Sequence, residues 1–353
     1  MNKQIGNILV LVSILLFNSS FSQETIKNDT LETTNDVFSE ADILPIKMSY
    51  SNKEIKKDSN DSTYIDSNLS YQLKDGYWQD LPVQLRRRGN NRLKNCYFVP
   101  LKVKLKKSDT KNTSFEGHKN LKIVLPCLLE KDNNDNVVKE YLVYKLFEVV
   151  SPYSFMTRLL DINFEEEKGN KTKTFQLKGI LVEDDKKMAK RLDGKVYDRN
   201  VHPLNQEPVS SIRNALFEYM IGNTDFSQAY QHNIKLLYID SNMVPIPYDF
   251  DMSGFVNTSY AVVSEINGES LGLNSVTDRK YRGFVRDVAL FEKVRQEFIG
   301  NRDKFISILN DHASFFDRPE EFRVAKAYIL EFLDIIIDDQ QFRDKILRQA
   351  RTK

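Results

Sequence analysis

The chain has 353 residues, of which 51 are Lys or Arg and 50 are Asp or Glu, so its formal net charge is only +1. A chain this close to neutrality has no overall electrostatic attraction to nucleic acid or to an anionic membrane surface, and we expect no nucleic-acid partner. The four His residues are scattered without the spacing of a zinc site, which argues against a zinc enzyme.

The first 22 residues have the pattern of a cleavable signal peptide. Lys3 precedes an apolar run at residues 8–17, and Ser20 and Ser22 are small residues placed for cleavage. The run is shorter than the ~20 residues of a membrane-spanning helix, and no later stretch is long and apolar enough to span a bilayer. We therefore expect an exported protein, periplasmic, on the cell surface or secreted, with no transmembrane segment after cleavage. A retained anchor is the alternative.

Residues 23–42 are polar and acid-rich, as in a disordered linker. Residues 43–185 predict a β-rich lobe, because short segments that alternate apolar and polar residues, such as 101–105, are separated by Gly, Asn, Asp and Ser. One main helix interrupts this pattern: Val138, Leu142 and Leu146 share a helical face, and Pro152 ends the helix.

Residues 186–353 predict a mainly helical lobe. Two short apolar runs, 234–239 and 244–248, are typical of a hairpin, and from about residue 282 the apolar residues recur at helical spacing. The predicted fold class is therefore α+β, with a β-rich N-terminal lobe followed by a mostly helical C-terminal lobe.

Cys96 and Cys127 are the two cysteines of the chain, and both lie in the predicted β-rich lobe. Export to an oxidising compartment makes a disulfide between them a reasonable hypothesis. Two packed thiols are the alternative.

The densest group of unusual residues lies in the second half of the chain. Asp225 follows a predicted helix and Asn233 comes eight residues later; the hairpin then leads to Asp249 and Asp251. Phosphoryl-transfer enzymes of the kinase type use this order of groups: the first Asp holds the attacking hydroxyl, while the Asn and the later Asp bind Mg²⁺ or Mn²⁺. Each residue also has a simple structural explanation, in a turn or on an exposed strand face.

A nucleotide site of this kind also needs positive charge for the phosphates. Lys122 lies in a predicted strand, and Glu140 lies 18 residues later in the first turn of the predicted helix, which is workable spacing for a phosphate-orienting Lys–Glu pair. Arg88 precedes Gly89 in what could be a phosphate loop, although one Gly is weak support. An exposed strand position is the alternative for Lys122.

Several segments together resemble the CotH-type secreted kinase-like family, and more closely a poorly characterised group of exported bacterial proteins that looks related to it. The resemblance runs from about residue 78 to 285 and is carried by residues 88–96, 121–127, 139–144, 181–185, 219–225, 232–233, 247–251 and 278–283. It implies a two-lobed protein-kinase-like fold that uses ATP, or another nucleotide, and Mg²⁺ or Mn²⁺.

The same resemblance implies roles for the acidic cluster. Asp225 would be the catalytic residue, Asn233 and Asp249 the metal ligands, and Asp251 an alternative or additional ligand. The expected activity is transfer of phosphate from a nucleotide to a hydroxyl of a secreted or envelope protein. The alternatives are a non-enzymatic envelope scaffold or binding protein that keeps the fold, and a hydrolase that uses Asp249 and Asp251 as paired carboxylates.

Overall fold

Seven strands form a closed barrel in the computed structural model, which describes residues 35–89, 91–266 and 269–352. They are β1 (Leu44–Tyr50), β2 (Ile65–Gln72), β3 (Trp78–Arg87), β4 (Leu101–Leu105), β5 (Asn120–Val124), β6 (Thr157–Lys168) and β7 (Lys171–Glu183). Their order around the barrel is β1-β2-β3-β4-β5-β7-β6. All neighbours are antiparallel except β1 and β6, which run parallel and close the barrel.

Alternating side chains fill the barrel. In β4 the side chains of Leu101, Val103 and Leu105 are buried, whereas Lys102 and Lys104 lie on the outer surface and are half-buried. Because successive strand residues point to opposite faces, this alternation directs one apolar set inward. The buried set belongs to one continuous core inside the barrel.

The remaining elements include a long helix between β5 and β6 and a second sheet. The helices are α1 (Asn52–Asp58), α2 (Asn91–Asn95), α3 (Lys107–Thr110), α4 (Asn133–Val150), α5 (Asp185–Arg191), α6 (Pro208–Met220), α7 (Val288–Gly300), α8 (Arg302–Asp311), α9 (Pro319–Ile337) and α10 (Asp339–Lys345). Short 3-10 turns occupy Pro203–Asn205, Ala313–Phe315 and Leu347–Gln349. The further strands are β8 (Lys195–Tyr197), β9 (Ile234–Ile239), β10 (Asn242–Pro247), β11 (Glu265–Ile266) and β12 (Glu269–Ser270).

The second sheet has the order β10-β9-β8, and its β9–β10 hairpin confirms the hairpin predicted from the sequence. Helix α4 is the predicted main helix and ends before Pro152. It is buried on nearly all sides, because its apolar residues join one core with parts of the barrel wall and with α6 to α10. None of the helices in the described ranges has both the length and the apolar character to cross a membrane.

The expected two-lobed protein-kinase-like fold is wrong. The β-rich part of the chain closes into a seven-stranded barrel, and a separate three-stranded sheet follows it. Strand periodicity identified where strands lie but could not show closure, which depends on β1 pairing with β6 more than a hundred residues away. In the described residues, no division of the chain falls at the predicted lobe boundary near residue 185.

The predicted signal peptide at residues 1–22 lies outside the described residues, as does most of the predicted linker at 23–42. The last residues of that linker segment pack onto the barrel. Val37 is fully buried and its backbone N–H donates to the carbonyl oxygen of Ser114 at 2.8 Å. Asp36 contacts the buried ring of His118, with 2.8 Å between Oδ2 and Nε2. The packed part of the chain therefore begins earlier than the predicted residue 43.

Candidate functional site

Five of the predicted site residues line one cleft of about 650 Å³. The cleft is lined mainly by three segments: the one that follows β3, the loop after α6, and the segment that follows β10. The five predicted residues are Arg88, Asp225, Asn233, Asp249 and Asp251. Residues that are up to 163 positions apart in the chain thus line the same cleft, whereas Lys122 and Glu140 are not among its lining residues.

Asp225 lies on the loop that follows α6. The helix ends at Met220, and Gly222 turns the chain with a φ of 62°, a conformation that suits glycine. The side-chain Oδ1 of Asn223 then accepts a hydrogen bond from the backbone N–H of Asp225 at 2.9 Å. The carboxylate of Asp225 is left partly exposed at the cleft.

The side chain of Asn233 forms two further hydrogen bonds to Asp225. Its Nδ2 donates to the main-chain oxygen of Asp225 at 2.7 Å and to Oδ2 of the same residue at 3.1 Å. Asn233 has a φ of 53°, and Asp249, which also lines the cleft, has a φ of 64°. Such left-handed conformations are uncommon for residues other than glycine and concentrate at functional sites.

His232 contacts Asp225, a role that the sequence did not predict although residues 232–233 are among the segments that carry the resemblance. Its Nε2 lies 3.0 Å from Oδ1 of Asp225, and this hydrogen bond is the largest effect that raises the pKa of the imidazole above its usual 6.5. The contact depends on a tight turn in which Ser227 and His232 exchange backbone hydrogen bonds. The one available sequence signal was the position of His232 next to Asn233.

Asp249 and Asp251 differ in their surroundings. The side chain of Asp249 is 39% exposed and faces the cleft, and its backbone N–H donates to the hydroxyl of Tyr144 on α4. Asp251 is buried, and its Oδ2 accepts hydrogen bonds from Arg92 and from the hydroxyl of Tyr260. Burial raises the pKa of Asp251, although the Arg92 cation opposes this effect.

Arg92, on the short helix α2, is the second residue whose role the sequence analysis missed. Its Nη2 lies 2.8 Å from Asp251, 3.3 Å from Glu140 and 3.5 Å from Asp249. Glu140 is buried, its Oε1 has no hydrogen-bond partner among the described residues, and burial raises its pKa. One guanidinium therefore lies within 3.5 Å of three carboxyl groups, so this cluster has fewer positive than potential negative charges.

Lys122 does not pair with Glu140, which corrects the pairing expected from spacing. Its ammonium instead bonds to Asp185, whose other oxygen lies 3.4 Å from Nζ of Lys235. Strand β5 pairs with β7 so that Lys122 faces Val182, and this register brings the start of α5 beside Lys122. Burial lowers the pKa of Lys122 to about 8, with a further decrease from the charge of Arg88.

Lys122 is not among the residues that line the cleft, but it lies close to one of them. Its Nζ is 5.8 Å from the ring of Tyr248, and Nζ of Lys235 is 5.6 Å from the same ring. Tyr248 itself lines the cleft. A cationic region made of Lys122, Lys235 and Arg88 therefore adjoins the acidic side of the cleft.

Oxygen donors suitable for Mg²⁺ or Mn²⁺ are present at the cleft. Asp249 offers a partly exposed carboxylate, and because Asn233 uses its Nδ2 on Asp225, its Oδ1 is directed away from that residue. Asp251 fits less well, since Arg92 and Tyr260 already occupy its Oδ2. Across the described ranges, no group of three or more His, Cys, Asp or Glu residues has the arrangement of a metal site. Mg²⁺ commonly uses only one or two carboxylates together with waters and substrate phosphates, so Asp249 and Asn233 fit that pattern.

A disulfide joins Cys96 and Cys127. The sequence had left open whether the two cysteines form a disulfide or remain two packed thiols. It links the end of α2 to the segment between β5 and α4, and both half-cystines lie in the cleft wall. The backbone N–H of Cys96 also donates to the carbonyl oxygen of Arg92 at 2.9 Å. The bridge therefore holds the helix that carries Arg92 against the cleft.

Two comparisons with known proteins were made for the whole chain. A scan against protein-family models finds no matching family, and a search of curated proteins finds no matching relative. The resemblance to the CotH-type family therefore stays a prediction, carried by the motifs of this sequence alone.

Proposed function

We propose that the cleft transfers a phosphoryl group from a nucleotide to a hydroxyl group of a protein, in a reaction that depends on Mg²⁺ or Mn²⁺. The observation that carries this proposal is the convergence of Asp225, Asn233 and Asp249 on one cleft, beside Arg88. A hydroxyl-binding carboxylate, oxygen donors for a cation and a guanidinium for phosphate are the groups that phosphoryl transfer requires. The barrel fold supplies them in a framework that differs from that of a typical kinase.

In this proposal Asp225 accepts the proton of the substrate hydroxyl. The hydroxyl oxygen forms a bond to the γ-phosphorus while the bond from that phosphorus to the bridging oxygen breaks, and the electron pair leaves on the nucleoside diphosphate. His232 and Asn233 keep the Asp225 carboxylate oriented through their contacts at 3.0 and 3.1 Å. A carboxylate held in this way can meet an attacking hydroxyl without large rearrangement.

Asp249 and Asn233 would hold the divalent cation, whose contribution when bound is to neutralise charge on the phosphates. Arg88 would contact the phosphates directly, because it lines the cleft and a guanidinium can form paired hydrogen bonds with phosphate oxygens. Lys122 would add positive charge from beside Tyr248. The expected substrates are secreted or envelope proteins, as follows from the predicted export of the chain.

The test is incorporation of labelled γ-phosphate from ATP into a generic protein or into the chain itself, with Mg²⁺ or Mn²⁺. We expect wild-type labelling to be lost in Asp225→Asn and in Asp249→Asn. Asp303→Asn, an exposed substitution on α8 and outside the cleft, is the matched control and should label normally. Wild-type protein that binds no nucleotide and labels no substrate would refute the proposal.

One contact favours a second candidate, a binding protein without catalysis. Arg92 already lies 3.5 Å from Asp249, the carboxylate proposed to hold the cation. A thermal-shift experiment separates the candidates: a ligand at 100 times its Kd stabilises the folded state by about 2.7 kcal/mol. Stabilisation by nucleotide and metal without any transfer supports the binding protein, whereas transfer that Asp225→Asn abolishes supports the enzyme.

A further inference from the structure

A buried glutamate lies beneath the Asp225 loop. Glu218 is on the last turn of α6 and has no exposed surface. Its Oε2 accepts a hydrogen bond from Nδ2 of Asn223 at 2.9 Å, and its Oε1 has no hydrogen-bond partner in the described part of the chain. Burying a carboxyl group with an unpaired oxygen costs folding free energy, which suggests that Glu218 has a specific role at this position.

Asn223 connects this glutamate to Asp225. One end of the Asn223 carboxamide donates to Glu218, and the other end accepts the backbone N–H of Asp225 at 2.9 Å. Asn223 is itself buried, and its own backbone N–H donates to the carbonyl oxygen of Glu218 at 2.8 Å. Since both ends of the carboxamide are in use, the side chain of Asn223 cannot turn without breaking one of these bonds.

A cation holds the same loop at the next residue. Arg282 donates from Nη1 to the carbonyl oxygen of Thr224, and its guanidinium lies 5.1 Å from the ring of Phe226. Its Nε is buried and has no hydrogen-bond partner among the described residues. The loop is therefore fixed at two consecutive residues, Asn223 and Thr224, by two ionisable side chains, the buried Glu218 and the half-buried Arg282.

We propose that Glu218 is a positioning residue, which fixes the backbone of Asp225 through Asn223 and so sets where the Asp225 carboxylate lies in the cleft. The importance of this position for catalysis rests on the proposed function, but the hydrogen-bonded link from Glu218 through Asn223 to Asp225 does not. Among the described residues, the side chain of Glu218 hydrogen-bonds to Asn223 and to no group that lines the cleft, so its hydrogen-bonded link to Asp225 runs through that residue.

The protonated form of Glu218 suits this role. Burial raises its pKa to about 8, and the charge of Asp225 adds to this increase while Arg282 opposes it. A neutral carboxyl group still accepts the bond from Asn223 and does not repel Asp225. Glutamine has the shape of a protonated glutamate and keeps that acceptor, so Glu218→Gln should preserve the link, whereas Glu218→Leu should break it.

Hydrogen exchange measured by mass spectrometry tests the link without substrate or nucleotide. In Glu218→Leu we expect the amides of residues 222–226 to exchange about tenfold faster, the factor for one lost net hydrogen bond. Glu218→Gln should keep the wild-type rate. Asn223→Ala should match Glu218→Leu and decides the matter if Glu218→Leu does not fold.

Glu166 offers a matched control. It is buried on β6, and its Oε1 accepts from the amide of Asn52 at 3.1 Å, the same kind of contact at another place in the fold. Glu166→Leu should leave exchange of residues 222–226 unchanged. Unchanged exchange in Glu218→Leu, or exchange in Glu218→Gln as fast as in Glu218→Leu, would overturn the inference.

Kinetics add a readout that separates positioning from general damage. If the chain transfers phosphate, Glu218→Leu should lower kcat at least tenfold with little change in KM for the nucleotide, and Glu218→Gln should restore kcat. Equal losses in both variants would contradict the inference. A wild-type chain without transferase activity refutes the proposed function alone, because the exchange result is obtained independently of it.

Discussion

The carboxamide of Asn233 binds Asp225 twice, once at the main-chain oxygen and once at the carboxylate. The two residues belong to different sides of a turn, and Asn233 adopts a left-handed backbone conformation to make both contacts. Such a conformation persists where surrounding contacts determine it, and the double hydrogen bond is one such contact. The double hydrogen bond therefore holds Asn233 and Asp225 together at the centre of the candidate site.

The contact between His232 and Asp225 predicts a measurable histidine titration. The hydrogen bond raises the pKa of His232 above 6.5, so Asp225→Asn should return it toward that value. Because the folded-state pKa is the higher one, the contact stabilises the fold fully below pH 6.5 and loses this contribution as pH rises through the folded-state pKa. Histidine NMR titration of metal-free protein measures the shift.

The half-buried ring of His312 is the internal control for that titration. Its pKa is lowered by burial, and its Nδ1 contacts the carbonyl oxygen of Ile308, away from the cleft. Asp225→Asn should leave the titration of His312 unchanged. An unchanged titration of His232 in Asp225→Asn would contradict the contact itself.

Lys122 predicts how nucleotide affinity depends on pH. Burial lowers its pKa from 10.5 to about 8, so its positive charge is lost as pH rises through about 8. If Lys122 adds charge for phosphate binding, nucleotide affinity should fall over that range, whereas an ordinary lysine would keep its charge. Calorimetric titration between pH 7 and pH 9 measures this change.

Lys122→Arg is the informative variant, since an arginine stays charged throughout that range. It should bind nucleotide with little dependence on pH between 7 and 9, and Lys122→Met should bind weakly at every pH. In wild type the stability of the fold should increase over the range in which nucleotide affinity decreases. The pKa of Lys122 is lower in the folded state than in the unfolded state, so this group stabilises the folded state increasingly as pH rises from about 8 to 10.5. Nucleotide affinity in wild type that stays constant across pH 8 would contradict the assigned role.

The sequence located the acidic side of the cleft because Asp225, Asn233 and Asp249 follow a recognisable order with a hairpin between them. It could not find the partner of Lys122, which is chosen by the register between β5 and β7 rather than by spacing along the chain. Arg92 was missed for the same reason: its carboxylate partners Glu140 and Asp251 are 48 and 159 residues away. Long-range ion pairs of this kind depend on tertiary structure.

The fold shows the same limit. Alternation in segments such as β4 identified the strands, and helical periodicity identified α4. The parallel pairing of β1 with β6 closes the barrel, and it involves neighbours distant in sequence whose contact no local pattern encodes. The predicted fold class was therefore wrong about architecture while several of its elements were placed correctly.

Arg92→Ala should destabilise the fold strongly. The substitution leaves Glu140 and Asp251 buried without their cation, a change that typically costs about 3 to 5 kcal/mol. Because uncompensated carboxylates can be neutralised by protons, the deficit relative to wild type should be larger at pH 8 than at pH 5. Denaturant unfolding at the two pH values measures it.

Arg302→Ala is the control for that comparison. Arg302 forms an exposed ion pair with Asp303, and exposed pairs contribute little to stability. Its unfolding should resemble wild type at both pH values. An Arg92→Ala protein as stable as wild type at pH 8 would show that the cluster does not need this cation.

The disulfide between Cys96 and Cys127 predicts a coupling between stability and the cleft. It closes a loop with a sequence separation of 31 residues, and the loss of such a bridge costs about 3 to 4 kcal/mol in the loop-entropy treatment. The double variant Cys96→Ser/Cys127→Ser should therefore melt several degrees below wild type.

Because the bridge holds the helix of Arg92 against the cleft, hydrogen exchange at residues 91–97 should rise more than exchange in the β9–β10 hairpin. Reductant should reproduce both effects in wild type and change nothing in the double variant, and equal melting of the two proteins would contradict a stabilising bridge.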